Sequence, residues 1–204
     1  MSAELYLAYV VACFVITIIP GPTVTLIVAN SLTHGARGGL LNVAGTQLGL
    51  GLMMMVLVVG LSSVIATMGY WFDWLRLFGA AYLVWLGWKL LRSQNGFAQP
   101  GCAPAPRGGF FLQGFLVLMG NPKALLWFGA FIPQFVDPNG DYVWQVVLLG
   151  LTAMATAAIS DGGYAILAGR AGRLLSQRRV LLVSRISGLC LIGGGAWLAL
   201  ARAR

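Results

Sequence analysis

Charge is scarce in this chain. Of 204 residues, 13 are Lys or Arg and 5 are Asp or Glu, 9% in all, whereas soluble domains run near about 25%. A water-soluble fold would have too little polar surface to show. With 59% hydrophobic residues and a mean hydropathy of +0.85, the chain reads as an integral membrane protein. No long polar segment interrupts it, so no appended soluble domain is expected, and 1–204 reads as a single transmembrane domain. Cysteine is also sparse. Cys13, Cys102 and Cys190 lie far apart and lack ligand spacing, which argues against a disulfide framework and a metal site. There is one histidine, and no segment resembles a phosphate-binding loop, a HExxH pair, a GxSxG elbow or a haem ligand set. An enzyme reading has little to rest on, and no cofactor is expected. The net charge of +8 and pI near 10.0 would suggest nucleic acid in a soluble chain. Here the bases lie in loops and set membrane orientation instead, so no nucleic-acid partner is expected.

What is abundant is apolar sequence in long runs. Six stretches, about 5–32, 39–68, 71–91, 110–136, 143–168 and 180–201, are long enough to cross about 30 Å of hydrocarbon. None alternates with period two, which argues against a β-barrel. The start, Met1–Ser2–Ala3–Glu4, lacks the basic region of a secretory signal, so the first run is expected to be a retained span. The fold expected is all-α: six transmembrane helices, or five with one re-entrant segment. The polar link 93–109, with Pro100, Pro104 and Pro106, divides them into halves of about 1–92 and 110–204. Three helices per half give the halves opposite orientation, the arithmetic of an inverted repeat.

Loop charge is lopsided. Arg37, Lys89, Arg92, Arg107, Arg170, Arg173, Arg178, Arg179 and Arg185 fall on one side, against Arg76, Arg202 and Arg204 on the other. The positive-inside rule then predicts both termini outside the cytoplasm. Trp71, Trp74, Trp85, Trp88 and Trp144 cluster near span ends, as interfacial belts do. Gly45 and Gly49 form a GxxxG spacing that suits close packing within one chain or in a homodimer.

Polar groups inside the runs carry the functional signal. The first span is interrupted at Pro20-Gly21-Pro22 and the fourth at Asn121-Pro122-Lys123. Each proline lacks an N–H and clashes with the carbonyl four residues back, so Ile16 and Ile18 lose their partners at the first break. Thr17, Thr23, Thr25, water or substrate are candidates to supply new ones. Asn is a good N-cap and Pro is at home in the first helical position. Both breaks therefore read as half-helices starting afresh, the second roughly 15 Å into its span. Either these are ordinary proline kinks, or they are the paired broken helices of a transporter's binding site, whose N-termini favour a substrate carboxylate.

Two charges sharpen the second reading. Lys123 within the membrane needs a partner, either a substrate carboxylate or Asp161, unless it snorkels to the headgroups. Asp161 lies in the fifth run, where a carboxylate costs on the order of 2.5–3.5 kcal/mol. It either couples transport to protons or pairs with Arg170 near the cytoplasmic end. In the second run Asn42, Thr46 and Gln47 are polar in apolar surroundings, and either line the path or bond across helices. The candidate substrate-binding set is thus Pro20, Gly21, Pro22, Thr23, Asn42, Thr46, Gln47, Asn121, Pro122 and Lys123, with Asp161 for protons.

The segments Ile19–Pro22, Ser31–Leu40, Gly79–Gly87, Asn121–Ala124, Pro133–Val136 and Asp161 with Gly163–Ala165 together resemble the LysE/RhtB-type family of bacterial amino-acid exporters. The resemblance covers essentially the whole chain. It implies export of small amino acids or derivatives, with proton antiport, and places Pro20, Gly21, Pro22, Asn121, Pro122 and Asp161 at or beside the path. Many members carry Asn where this chain has Thr23, and an acid where it has Leu50. The missing acid points away from a cationic substrate. The alternatives are an exporter of other small solutes or metal ions, and a non-transporting membrane subunit.

Overall fold

The computed structural model describes residues 1–92, 106–137, 139–174 and 177–200, and of these the side chains of 60–76, 79, 90, 122, 130, 173–174, 177, 179–180, 184 and 197–198 are not described. Most of the polar link 93–109, the expected belt residues Trp71 and Trp74, and the tail arginines Arg202 and Arg204 therefore lie outside the described residues. What is described is helical, with no strand.

Helix α1, Ala3–Ile18, begins where the Ser2 hydroxyl accepts the Leu5 N–H, with Glu4 in the first turn, both suited to a helix start. It ends before Pro20, as expected from the missing amide. Helix α2, Pro22–His34, restarts with proline in its first turn and no side-chain cap at Gly21. The two axes bend by 50°. At the far end of α2, Gly35 has φ 79°, a left-handed turn that glycine takes without strain, and α3 follows over Ala36–Arg92.

Two separate spans were expected over 39–68 and 71–91, but α3 is one helical element of 57 residues. Straight, it would run about 85 Å and hold Val43 and Leu83 about 60 Å apart. Yet Val43 is buried with Ile27 of α2, and Leu83 is buried with the adjacent Leu26. The two ends of α3 therefore fold back alongside α2, and the reversal falls between Leu57 and Leu83.

Helix α4, Gly109–Met119, and helix α5, Pro122–Leu126, form the second bent pair. Asn121 caps α5 by accepting the Lys123 N–H at 3.0 Å. Beyond Leu126 the helix widens into a π turn, Trp127–Phe131, then tightens into a 3-10 turn, Ile132–Phe135, with Pro133 near its start. The bend across this pair is 56°. Helices α6, Tyr142–Leu174, and α7, Gln177–Leu200, complete the bundle. Among the described residues, Ala36–Val59 and Tyr142–Gly172 are each long and apolar enough to cross a membrane, and counting each bent pair as one span makes four.

The GxxxG glycines serve packing within the chain. A side chain at Gly45 would run into the Phe111 carbonyl of α4, one at Gly114 into the Asn42 carbonyl of α3, and one at Gly49 would meet Leu118. The outside is apolar. Leu7, Val11, Val15 and Ile18 of α1 are exposed while Tyr9 and Cys13 are buried. This pattern is the reverse of a soluble helix and fits a lipid solvent.

Candidate functional site

The two helix breaks meet. The Asn121 side chain, already capping α5, donates through Nδ2 to the Thr23 hydroxyl of α2 at 2.7 Å. The end of α1 leaves carbonyls without helical partners, and three consecutive ones find side chains from elsewhere. Ser160 donates to the Thr17 carbonyl at 3.2 Å, Tyr164 to that of Ile18 at 2.9 Å, and Lys123 Nζ to that of Ile19 at 2.7 Å. For the freed Ile18 carbonyl the sequence offered a threonine hydroxyl, water or substrate, and the side chain that bonds it is Tyr164. The Thr17 hydroxyl turns back to the Cys13 and Phe14 carbonyls of its own helix, the usual habit of threonine within an apolar helix.

Beside this junction lies a cavity of about 80 Å³. At roughly 10–15 Å³ per water centre, it holds several waters. Of the residues expected at the site, Gly21, Thr23, Asn121, Lys123 and Asp161 line it. Pro20 and Pro22 shape the first break without lining it, and the side chain of Pro122 lies outside the described residues. Asp161 is buried, and among the described residues it makes no hydrogen bond and no ion pair within 4.0 Å. Of its expected partners, Lys123 interacts with it electrostatically across the cavity, and Arg170 forms no ion pair with it among the described residues. Arg170 is exposed, and the Lys123 ammonium is held by the Ile19 carbonyl, so the opposite charges face the same space without touching.

Asn42, Thr46 and Gln47 stand apart from this cavity. Asn42 donates to the Phe110 carbonyl and accepts from Asn30, which also donates to Gln113. The Thr46 hydroxyl donates to the Val43 carbonyl, and the Gln47 amide nitrogen is buried without a partner among the described residues. Asn42 thus bonds across helices, the other use open to it from sequence. Sequence reasoning missed Asn30 and Gln113, and also Thr156 and Ser160. The latter two follow Thr152 at steps of four along α6, a polar stripe on one helix face.

Toward the start of α1 the cavity is closed by rings. Trp127 stacks on Phe131 at 4.1 Å between centroids, and Tyr9 packs on Trp127, Phe131 and Phe135. The Tyr9 hydroxyl donates to the Leu149 carbonyl of α6. Beyond the rings and outside the apolar spans, the Asp137 carboxyl is held below the usual carboxylate range by the Asn139 N–H and by the Met1 ammonium.

Paired breaks joined by an asparagine and an uncapped helix start beside an intramembrane lysine and acid now stand with the whole chain's match. The LysE type translocator family matches residues 14–202. The chain belongs to that family. It is 30% identical over 204 residues to the homoserine/homoserine lactone efflux protein of Salmonella typhimurium, covering 99% of each chain. It is 28% identical to the leucine efflux protein of Klebsiella pneumoniae, over 95% of this chain and 94% of that one, and 29% identical to an uncharacterized membrane protein of Vibrio cholerae over the full length of both. No solved structure matches. As a LysE type translocator the chain is a membrane transport protein rather than an enzyme, and its relatives bear the names of amino-acid efflux proteins.

Proposed function

We propose that this translocator exports small amino acids or their derivatives across the bacterial inner membrane by proton antiport, through alternating access of two inverted halves, about 1–92 and 110–204. The observation that carries this reading is the cavity at the meeting of the two breaks, with Lys123 and Asp161 on its wall. The similar bends of the two broken pairs, 50° and 56°, support the inverted-repeat reading, as do the relatives named for homoserine and leucine efflux.

The substrate carboxylate binds where positive charge is available. The first N–H groups of α2 have no side-chain cap, Gly21 and Thr23 face the cavity, and the Lys123 ammonium keeps donors to spare beyond its bond to Ile19. The substrate ammonium lies toward Asp161. In the outward-facing state the empty carboxylate takes one proton from the periplasm; in the inward-facing state it releases that proton to the cytoplasm and receives the substrate ammonium. Each proton entering contributes about 2.3 kcal/mol per 100 mV to export. The buried Asn30–Asn42–Gln113 network lies beyond the cavity on α2, α3 and α4, where it pins the first half to the second.

The test separates binding from coupling. Purified protein in proteoliposomes is assayed for substrate counterflow and for accumulation driven by a proton gradient. Asp161→Asn is expected to raise the substrate concentration needed for half-maximal counterflow, since the ammonium loses its carboxylate, to retain counterflow at saturating substrate, and to lose gradient-driven accumulation by tenfold or more, since one proton site is the whole coupling device. Accumulation at the wild-type level would sink the coupling role.

A further inference from the structure

The cavity is graded along one axis. On α1 it passes from Cys13 to Thr17, then to Gly21 beyond the break. On α5 and the π turn it passes from Trp127 and Phe128 to Lys123, and on α6 from Ala153 through Thr156 to Asp161. Three bonds fix these helices in register: Lys123 on Ile19, Ser160 on Thr17 and Tyr9 on Leu149. All three therefore run from apolar to polar in the same direction. The charged groups gather at one end. The other end is walled by Cys13, Leu50, Leu118, Trp127, Phe128 and Ala153 and sealed by the Tyr9 ring cluster.

We infer that the apolar end is the subsite for the substrate side chain, and that it selects neutral amino acids with a short aliphatic chain. The inference rests on the amino-acid export reading and adds the substrate class and the residues that choose it. With carboxylate and ammonium held at the polar end, the side chain has one direction to take. Ala153 and Asp161 are eight residues apart on α6, about 12 Å along the axis, which leaves a few carbons' length beyond the substrate's main chain. The cavity's size agrees. About 80 Å³ is roughly half of the about 150 Å³ that admits benzene in an apolar cavity, room for a side chain of a few carbons. A second substrate charge finds no partner there. Asp161 is the one acid and Lys123 the one base among the described lining residues, and both belong to the polar end. The Thr156 hydroxyl is spent on the Thr152 and Ala153 carbonyls. A charged group would stand in an apolar pocket unpaired.

Counterflow of labelled leucine in proteoliposomes tests this without any variant. Unlabelled leucine, valine and norleucine are expected to compete at least about tenfold better than lysine or glutamate, the discrimination an unpaired buried charge imposes. Ala153→Leu fills the subsite. It is expected to reduce leucine exchange about tenfold or more while alanine exchange stays within about threefold, in the range set by a methylene or two in an apolar pocket. Preference for lysine or glutamate, or an equal effect of Ala153→Leu on leucine and alanine, overturns the subsite and leaves the exporter reading standing. Exchange of none of these amino acids overturns the exporter reading itself. Should Ala153→Leu fail to fold, the wild-type competition series decides alone.

Discussion

Asn121 performs two tasks with one amide. Its oxygen caps α5 through the Lys123 N–H, and its nitrogen binds Thr23 across the junction of the breaks. Loss of an N-cap costs about 1 kcal/mol, and a buried hydrogen bond contributes about as much. Asn121→Ala is therefore expected to destabilise the detergent-solubilised protein by about 2 kcal/mol, and Thr23→Val by about 1 kcal/mol, since it loses only the bridge. In a double-mutant cycle read by thermal melting, the pair should show a coupling of about 1 kcal/mol. Simple additivity would mean that the bridge does not hold the breaks together. This site also shows where sequence reading succeeds. The cap and the first-turn proline are local chemistry and are legible within three letters. Thr23 as partner, 98 positions away, is set by how two helices dock, and no local rule names it. The same holds for Lys123. That it needs a partner follows from its setting in the membrane, but its choice of the Ile19 carbonyl over Asp161 follows from where α1 happens to stop.

Some elements have interrupted hydrogen bonding, and others are notched together backbone to backbone. Helices α3 and α4 are locked by Gly45 against the Phe111 carbonyl and Gly114 against the Asn42 carbonyl, while α5 dissolves into π and 3-10 turns, a device frequent at functional sites. The notch makes an asymmetric prediction. Gly45→Ala drives a methyl into backbone that cannot yield and should cost about 2–3 kcal/mol, whereas Gly49→Ala meets the flexible end of Leu118 and should cost about 1 kcal/mol or less. Melting of the two variants side by side checks this, and equal losses would show that the close approach is not what holds α3 to α4. Hydrophobic runs with proline punctuation predicted both breaks and nearly every helix. They could not predict α3 as one element, because no proline marks where the chain reverses between Leu57 and Leu83. Nor could they predict the π turn, since Trp127–Phe131 carries no residue that demands it. The polar positions of the second run divide by helix face. Asn42 meets α2 and α4, where Asn30 and the Phe110 carbonyl bond to it, and a one-dimensional reading cannot tell that face from a cavity wall.

At the scale of the whole molecule, charge sorts to the two ends of the bundle. Ala36 packs on Gly169 and the His34 ring on Phe110, so the chain near Arg37, Arg107 and Arg170 gathers at one end. The opposite end holds Met1 with Asp137, and Tyr142 donating to the Leu57 carbonyl. A bundle with bases at one end and acids at the other has a preferred orientation in the membrane, because retained Lys and Arg in short loops stay cytoplasmic while Asp and Glu contribute little. The first residue stands at the acidic end. Helix α7 starts near the basic end, just after α6, and its 24 residues span about 36 Å, enough to return the chain to the acidic side of about 30 Å of hydrocarbon. On this ground we propose that both termini are periplasmic. Fusions after Arg204 test it in paired form: alkaline phosphatase there should be active and green fluorescent protein dark, and adding four arginines to the 136–141 loop should reduce the phosphatase signal by weakening the charge difference. A fluorescent, phosphatase-inactive pair would invert the molecule. The ring-sealed end of the cavity would then face the cytoplasm, and in the state seen here the subsite would be closed to the side from which an exporter must load.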